Sequence, residues 1–415
     1  MEFIAIGDEL LSGRITDANG PKLAEVGQRL GYPLTHLQII GDEMSEIKKT
    51  LKEAATRSEL IICSGGLGPT PDDRTKHALA ELLEVPLEDS PKAREIVKVH
   101  YQRIHKNWGP EINSYHLIPQ GVDPLENPNG LAPGLLAKLN KAQIVFLPGP
   151  PREFHAMLGY HLERITQTLQ KKPQRLSQFC VRTYGVPEEK IFGELCPTLW
   201  EELEKYGKLS SLPNFFGVDL VLQASKTMSE IEQENWAEQI KQHLFQTAVA
   251  PNIWQFGEQD LASYLLDQMR SRSLTLGLAE SCTGGLASSF ITDVPGCSDI
   301  FYGSIVSYHN NTKINILNVD PHTIQEYGAV SENCVRQMAD GARKVLGVDA
   351  VISYSGIAGP TGGSEAKPVG TLAIALSTSW APTQSQICQT NGDRKMLKSR
   401  FAVKGLHWLL TQLPK

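Results

Sequence analysis

The sequence predicts a mixed α/β protein in three parts, with a large strand–helix alternating part at each end and a small α+β part between them. Three observations carry this. Short apolar runs alternate with helical spacing at both ends, the pattern of a parallel sheet with crossover helices. Glycine-rich turns follow several of the apolar runs directly. Two polar stretches, Lys171–Arg175 and Asn252–Asp260, interrupt the alternation. They divide the chain into residues 1–170, 171–256 and 257–415.

In the first part, Glu2–Gly7 reads as a strand ending in glycine. Pro21–Leu30 has helical spacing, with proline tolerated in the first turn, and stops at Gly31. Leu34–Ile40 is β-like. Ser45–Arg57 is helical, with Ile47, Leu51 and Ala54 or Ala55 on one face. Leu60–Cys63 is a buried-strand pattern, Asp72–Leu83 a helix, and Ile144–Leu147 a strand broken by Leu147–Pro151; a helix follows to about Leu169. The middle part alternates strand Phe179–Tyr184, a helix opened by Pro187, strand Val218–Gln223 and an amphipathic helix Ser229–Phe245. In the last part, helix Leu261–Ser271 precedes strands Leu274–Ala279 and Ile300–Tyr308. Helix Ser331–Leu346 has Ser331 at its N-cap and Val335, Met338, Ala342 and Val345 inward. Strands Ala350–Tyr354 and Thr371–Ser377 and a terminal helix Leu397–Leu413 complete the chain.

The chain has 415 residues, enough for two to four domains at ~100–200 residues each. At 41% hydrophobic and 21% charged it is neither disordered nor collagen-like. A net charge of −6 gives no global attraction for nucleic acid or an anionic membrane, so neither is an expected partner. The 7 cysteines are odd in number and lack CxxC spacing, which argues against a disulfide framework or zinc knuckle. The start MEFIAIGDELL is no secretory signal, and no apolar run approaches the ~18 residues of a membrane span. The expected location is the cytoplasm, and the default assembly is a symmetric homodimer.

Four turns in the first part follow strand ends: Gly7-Asp8-Glu9, Gly41-Asp42, Ser64–Asp73 and Leu147–Pro151. In open parallel sheets, ligands bind at strand carboxyl ends. The turn Gly65-Gly66-Leu67-Gly68-Pro69-Thr70 lets the backbone approach a ligand, and the next helix offers free N–H groups to an anion. Gly149 adds a further glycine. Asp72 and Asp73 either cap that helix or, with Asp42, hold a divalent cation such as Mg, Mn or Co that bridges phosphates.

In the last part, Glu280-Ser281-Cys282-Thr283-Gly284-Gly285 lies between a strand and a helix. There Ser281 either exposes a nucleophilic hydroxyl, with the N–H groups of Cys282, Thr283 and Gly284 holding an oxyanion, or merely caps the helix. A nucleophilic serine needs a base. Tyr308, His309 and Lys313 are candidates, and Cys282 is a rival nucleophile. A lysine base must be neutral, so its pKa must fall from ~10.4. A second glycine-rich loop, Ser355-Gly356-Ile357-Ala358-Gly359-Pro360-Thr361-Gly362-Gly363, suits phosphate or amide recognition, and Lys367 adds charge. Arg394 offers a fork for phosphate, whereas Lys395 and Lys398 read as ordinary solvated lysines.

The strings IAIGDELLSG, GGLGPTPDD, NPNGLAPG and LPGPPRE resemble the N-terminal domain of the CinA competence/damage-inducible family, which is similar to molybdopterin-binding domains. That resemblance implies a three-layer nucleotide-binding fold and, in some members, metal-dependent hydrolysis of ADP-ribose to AMP and ribose 5-phosphate. The family's Lys-Gln-Ala string is replaced by Ser114-Tyr115-His116. The strings AESCTGG, SYHNNTK, SGIAGPTGG with KPVG, and NGDR resemble the CinA C-terminal domain, a nicotinamide mononucleotide deamidase that needs no cofactor. The resemblance implies Ser281 as nucleophile, Lys313 as base, Tyr308 in support, Thr283 and Ser355 lining the substrate, and Arg394 holding it. The middle part resembles the family's KH-like linker, without a Gly-x-x-Gly loop, so RNA binding is not expected. The alternative is a nucleotide- or molybdopterin-binding or interaction protein with an inactive N-terminal domain.

Overall fold

The computed structural model describes residues 1–169 and 173–414. Lys171 and Lys172, at the first expected boundary, lie outside the described residues. The chain forms two compact units, Met1–Leu176 and Ser177–Lys415. Among the described residues no helix is long and apolar enough to cross a membrane.

In the first unit, strand β1 (Glu2–Ile6) leads through α1 (Asp8–Leu11) and α2 (Asn19–Leu30) to β2 (His36–Ile40). Helix α3 (Met44–Arg57), strand β3 (Leu60–Ser64) and helix α4 (Thr75–Leu83) follow. Next come β4 (Leu87–Asp89), α5 (Pro91–Arg103), β5 (Leu117–Pro119), β6 (Asp123–Leu125), β7 (Gly134–Leu139), β8 (Ala142–Leu147) and α6 (Pro151–Thr166). The six-stranded sheet has the order β2-β1-β3-β8-β7-β6. Its first four strands are parallel, and β7 and β6 run antiparallel.

Strand pleating sends successive side chains to opposite faces, and both faces here are apolar. Phe3, Ala5, Ile62 and Val145 pack with Leu23 of α2 and Phe154 and Met157 of α6. Ile4, Ile61, Cys63 and Ile144 pack with Ile47 and Leu51 of α3 and Leu79 of α4. Three layers result, as expected for this part.

The second unit opens with β9 (Gln178–Thr183), α7 (Glu188–Lys190), α8 (Leu199–Glu204), β10 (Lys208–Pro213), β11 (Val218–Gln223), α9 (Glu230–Phe245) and β12 (Ile253–Phe256). Its antiparallel sheet has the order β10-β11-β9-β12. Strand β12 falls within Asn252–Asp260, the second expected boundary. At α9, Ser229 and Glu232 form a capping box.

Helix α10 (Leu261–Arg270) then precedes β13 (Leu276–Glu280), α11 (Leu286–Thr292), β14 (Phe301–Val306), α12 (Asn310–Leu317), α13 (Pro321–Tyr327) and α14 (Glu332–Leu346). Strands β15 (Ala350–Gly356), β16 (Thr371–Thr378) and β17 (Gln384–Gln389) precede the terminal helix α15 (Arg394–Thr411). The sheet order is β14-β13-β15-β16-β17, parallel across the first three strands and antiparallel beyond. Between β13 and β14 the register shifts: Leu276 faces Phe301, but Gly277 faces Gly303, so Tyr302 is an extra residue. One face of the sheet packs on α10, α11 and α15. The other packs on α14 through Val335, Met338 and Ala342. Val345, expected inward, is 55% exposed; it sits at the margin of the stripe, and Cys334 and Ala339 fill the inner face instead.

Phe154 is fully buried between α6 and the sheet, with its ring edge-on to Phe3 at 5.8 Å. Phe154→Ala is expected to destabilise the first unit by about 3–5 kcal/mol through lost burial and the cavity left behind. Urea unfolding measures this.

Candidate functional site

Strand β13 is fully buried between β14 and β15, so its carboxyl end is held from both sides. Ser281 N–H donates to Tyr354 O at 3.0 Å, and Ser307 N–H donates to Glu280 O at 2.8 Å. The chain then turns sharply, with Gly284 N–H donating to Ser281 O at 3.1 Å and Gly284 at φ +60, a conformation glycine adopts without strain.

Beneath the turn lies a residue the sequence reading did not assign. The carboxylate of Glu280, fully buried, accepts from the N–H groups of Gly285 (2.9 Å), Ala287 (3.2 Å) and Ser288 (2.9 Å). The Ser288 and Ser304 hydroxyls donate to it as well. Glu280 therefore satisfies the first-turn donors of α11, whose N-cap, Gly285, has no side chain to do so. That frees Ser281 from the capping role that was its competing reading. The signal was a lone acid ending an otherwise apolar strand, Leu276–Ala279.

The side chain of Ser281, only 7% exposed, meets Lys313 from α12. Lys313 is 1% exposed, and its Nζ lies 3.0 Å from Ser281 Oγ, 2.7 Å from Ser307 O and 3.3 Å from Tyr308 O. Burial lowers its pKa, and among the described residues no carboxylate pairs with it. A neutral amine has two N–H groups and one lone pair. The two carbonyls accept the two N–H groups, which leaves the lone pair for the Ser281 hydroxyl proton. The pair thus has the geometry of a nucleophile with its base.

The rival groups are placed elsewhere. His309 Nδ1 accepts from Asn311 N–H as the N-cap of α12. Burial pushes the Cys282 thiol up to about 12, which makes it a poor nucleophile. The expected support from Tyr308 is corrected in kind. Its main-chain carbonyl touches Lys313, while its ring is 61% exposed and its hydroxyl accepts from Arg394 Nη2 at 3.1 Å. The ring therefore lies on the exposed side, with its hydroxyl on Arg394 and not on the amine. Arg394 Nη1 also donates to Gly359 O at 2.7 Å, so its fork ties Tyr308 to the second glycine loop.

That loop abuts the first at Gly356, where a Cβ would lie 3.2 Å from Cys282 Sγ. Ser355 is buried at the end of β15, and Thr361 and Gly362 are exposed beyond it. Among the oxyanion donors expected, Gly284 N–H is engaged by Ser281 O, while those of Cys282 and Thr283 act on the Cys282 sulfur and have no oxygen partner among the described residues. Thr283 Oγ1 and Ser307 Oγ are buried without a partner among the described residues. Unpaired buried hydroxyls flanking a nucleophile are costly unless a ligand pairs with them.

The first unit carries a cavity of about 880 Å³ at the carboxyl ends of β1, β3 and β8. Gly7, Glu9, Gly65, Gly66, Gly68 and Gly149 line it, as do Asp42, Asp72 and Asp73. Gly65 is obligatory, since a Cβ there would meet Ile6 O at 2.2 Å. Asp8 and Thr70 do not line it: Asp8 exchanges hydrogen bonds with Asp42, and Thr70 donates to Asp73. Helix α4 starts at Thr75 rather than Asp72, so neither aspartate caps it. Asp73 instead closes the loop, accepting from Gly68 N–H at 2.8 Å and Thr70 N–H at 2.9 Å. Burial raises the pKa of Asp42, with the carboxylates of Asp8, Glu9 and Asp72 adding to the rise. Among the described residues no three His, Cys, Asp or Glu side chains group closely enough to hold a metal ion. Asp42, Asp72 and Asp73 line the cavity without forming a preformed set of three, and an ion held by one or two of them would complete its shell from a ligand's phosphates. Lys76, buried, donates to Ser114 O at 2.9 Å, and burial lowers its pKa to about 8. It brings an amine to the segment whose lysine is missing.

The family model of the CinA C-terminal domain matches residues 258–413, and that of a probable molybdopterin binding domain matches residues 2–167. A CinA-like protein of Thermotoga maritima is 33% identical over 97% of this chain and 96% of its own length. The chain belongs to the CinA family. Another member, a CinA-like protein of Myxococcus xanthus, is 33% identical over 100% of this chain and 98% of its own. A solved CinA superfamily structure from Escherichia coli is 29% identical, covering 37% of this chain and 88% of its own, with a TM-score of 0.36.

Glu280→Gln keeps the shape but replaces one acceptor oxygen with a donor amide facing buried N–H groups. It is expected to cost about 1–3 kcal/mol of stability, read by urea unfolding of the second unit.

Proposed function

We propose that the C-terminal part hydrolyses the carboxamide of nicotinamide mononucleotide to nicotinic acid mononucleotide and ammonia. The observation that carries this reading is the 3.0 Å contact between Lys313 Nζ and Ser281 Oγ, out of water. Lys313 takes the hydroxyl proton as Ser281 Oγ bonds to the amide carbon. The N–H groups of Cys282 and Thr283, whose acceptor in the free protein is the Cys282 sulfur, are the donors offered to the resulting oxyanion. Lys313 returns the proton to the amide nitrogen, the C–N bond breaks, and ammonia leaves. A water then loses a proton to Lys313 and attacks the ester, and Ser281 Oγ departs with that proton. The match to the CinA C-terminal domain supports the assignment.

Ammonia release from nicotinamide mononucleotide is the test. Ser281→Ala is expected to reduce it by about 10³-fold or more, and Lys313→Met by about 10²–10⁴-fold. Undiminished release by Ser281→Ala would sink the mechanism.

The pH dependence follows from Lys313. Its folded pKa is lowered by burial, so the neutral base accumulates below the pH at which free lysine deprotonates. Release is expected to rise with pH through that depressed pKa and then level off. A flat profile at low pH excludes Lys313 as the base.

A second reading concerns the first unit, where the glycine-lined cavity favours a nucleotide diphosphate such as ADP-ribose as ligand. Because Ser114-Tyr115-His116 stands where relatives carry Lys-Gln-Ala, we infer binding without turnover there. Calorimetry with ADP-ribose is expected to show binding that Gly65→Ala abolishes. AMP production in the presence of magnesium, manganese or cobalt would overturn the inference.

A further inference from the structure

Lys398, which the sequence marks as an ordinary solvated lysine, lies over the nucleophile turn. A Cβ built on Gly284 would be 3.7 Å from its Nζ. Gly284 closes the turn by its bond to Ser281 O, so the ammonium sits within one turn's width of the nucleophile. The side chain is half-buried, yet among the described residues it makes no hydrogen bond or ion pair. Other lysines, such as Lys22 and Lys48, do find carboxylates. The acid nearest in the chain to this turn, Glu280, is engaged by N–H groups and hydroxyls beneath it. Arg394, one helical turn earlier on α15 and so on the same face, already has both terminal nitrogens on Gly359 O and Tyr308 OH. Among the described residues Lys398 is a cation of that face without an acceptor, and the one that lies over Gly284.

The geometry points to Lys398 as the anchor for a phosphate monoester, the 5′-phosphate of the mononucleotide whose amide meets Ser281. A phosphate monoester carries about 1.5–2 negative charges near neutral pH and offers strong acceptors to such an ammonium. The consequence is specificity: the enzyme distinguishes a nucleotide from its nucleoside at this residue. This inference rests on the deamidase reading, and binding is measured separately from turnover so that the two fail separately.

In a Ser281→Ala background, which holds substrate without cleaving it, calorimetry compares nicotinamide mononucleotide with nicotinamide riboside. Lys398→Met is expected to weaken mononucleotide binding by about 10–100-fold, the scale of a charge-assisted contact. The preference for nucleotide over nucleoside then collapses, and Lys398→Arg restores most of it. Thermal melting checks that each variant folds, and Lys398→Gln replaces the Met variant if it does not. No loss of mononucleotide affinity, or an equal loss for the riboside, overturns the assignment. Mononucleotide binding without ammonia release from the wild-type chain overturns only the deamidase reading. Failure of the wild-type chain to bind the mononucleotide overturns both.

Discussion

A primary amine almost wholly removed from water sets the terms for the last part of this chain. Charged, Lys313 would need acceptors on every side and a counter-ion, and among the described residues no carboxylate pairs with it. Burial therefore drives it towards the neutral form, in which two carbonyls and one hydroxyl complete its bonding. The carbonyls come from the chain leaving β14, the amine from α12, and the hydroxyl from the end of β13. No single element holds the pair. The sheet does, by fixing where two neighbouring strands stop.

Glu280 supplies the opposite charge one layer down. Its oxygens satisfy the first N–H groups of α11, which a helix buried at its start otherwise leaves orphaned. The positive end of that helix is thereby neutralised from within. On α15, Arg394 ties the second glycine loop to Tyr308, and Lys398 lies over the nucleophile turn. The division places the buried acid in support of the turn and leaves Lys398 beside it without an acceptor among the described residues.

Much of this was legible in the residues. Strand Leu60–Ser64 announces itself as a short apolar run, because a strand buried on both faces has little else to display, and Val218–Gln223 by the alternation of a half-buried one. Helix α14 showed its inner face and its cap. The Ser281–Lys313 meeting was an expectation from motif and resemblance, and the coordinates place those atoms 3.0 Å apart. The antiparallel edges were not legible. Strand β17, Gln384–Gln389, is largely polar and half exposed, so its composition resembles a loop. Side-chain direction was also hidden. Tyr308 and Lys313 stand five residues apart in one string, but only backbone geometry decides that the tyrosine contributes a carbonyl. Nor does spacing reveal that Asp73 closes a loop through Gly68 and Thr70, or that Lys398 reaches a turn more than a hundred residues earlier.

The extra residue at Tyr302 acts on this arrangement as a vernier. Upstream of it, Leu276 faces Phe301; downstream, every pair from Gly277–Gly303 to Glu280–Val306 runs in an unbroken new phase up to Ser307. The carbonyl that receives the lysine is therefore indexed to the strand after the offset, not to the chain before it. The spacing of Ser281 and Lys313 is thus keyed to the stretch of β14 that follows the offset, and not to the segment that leads into it.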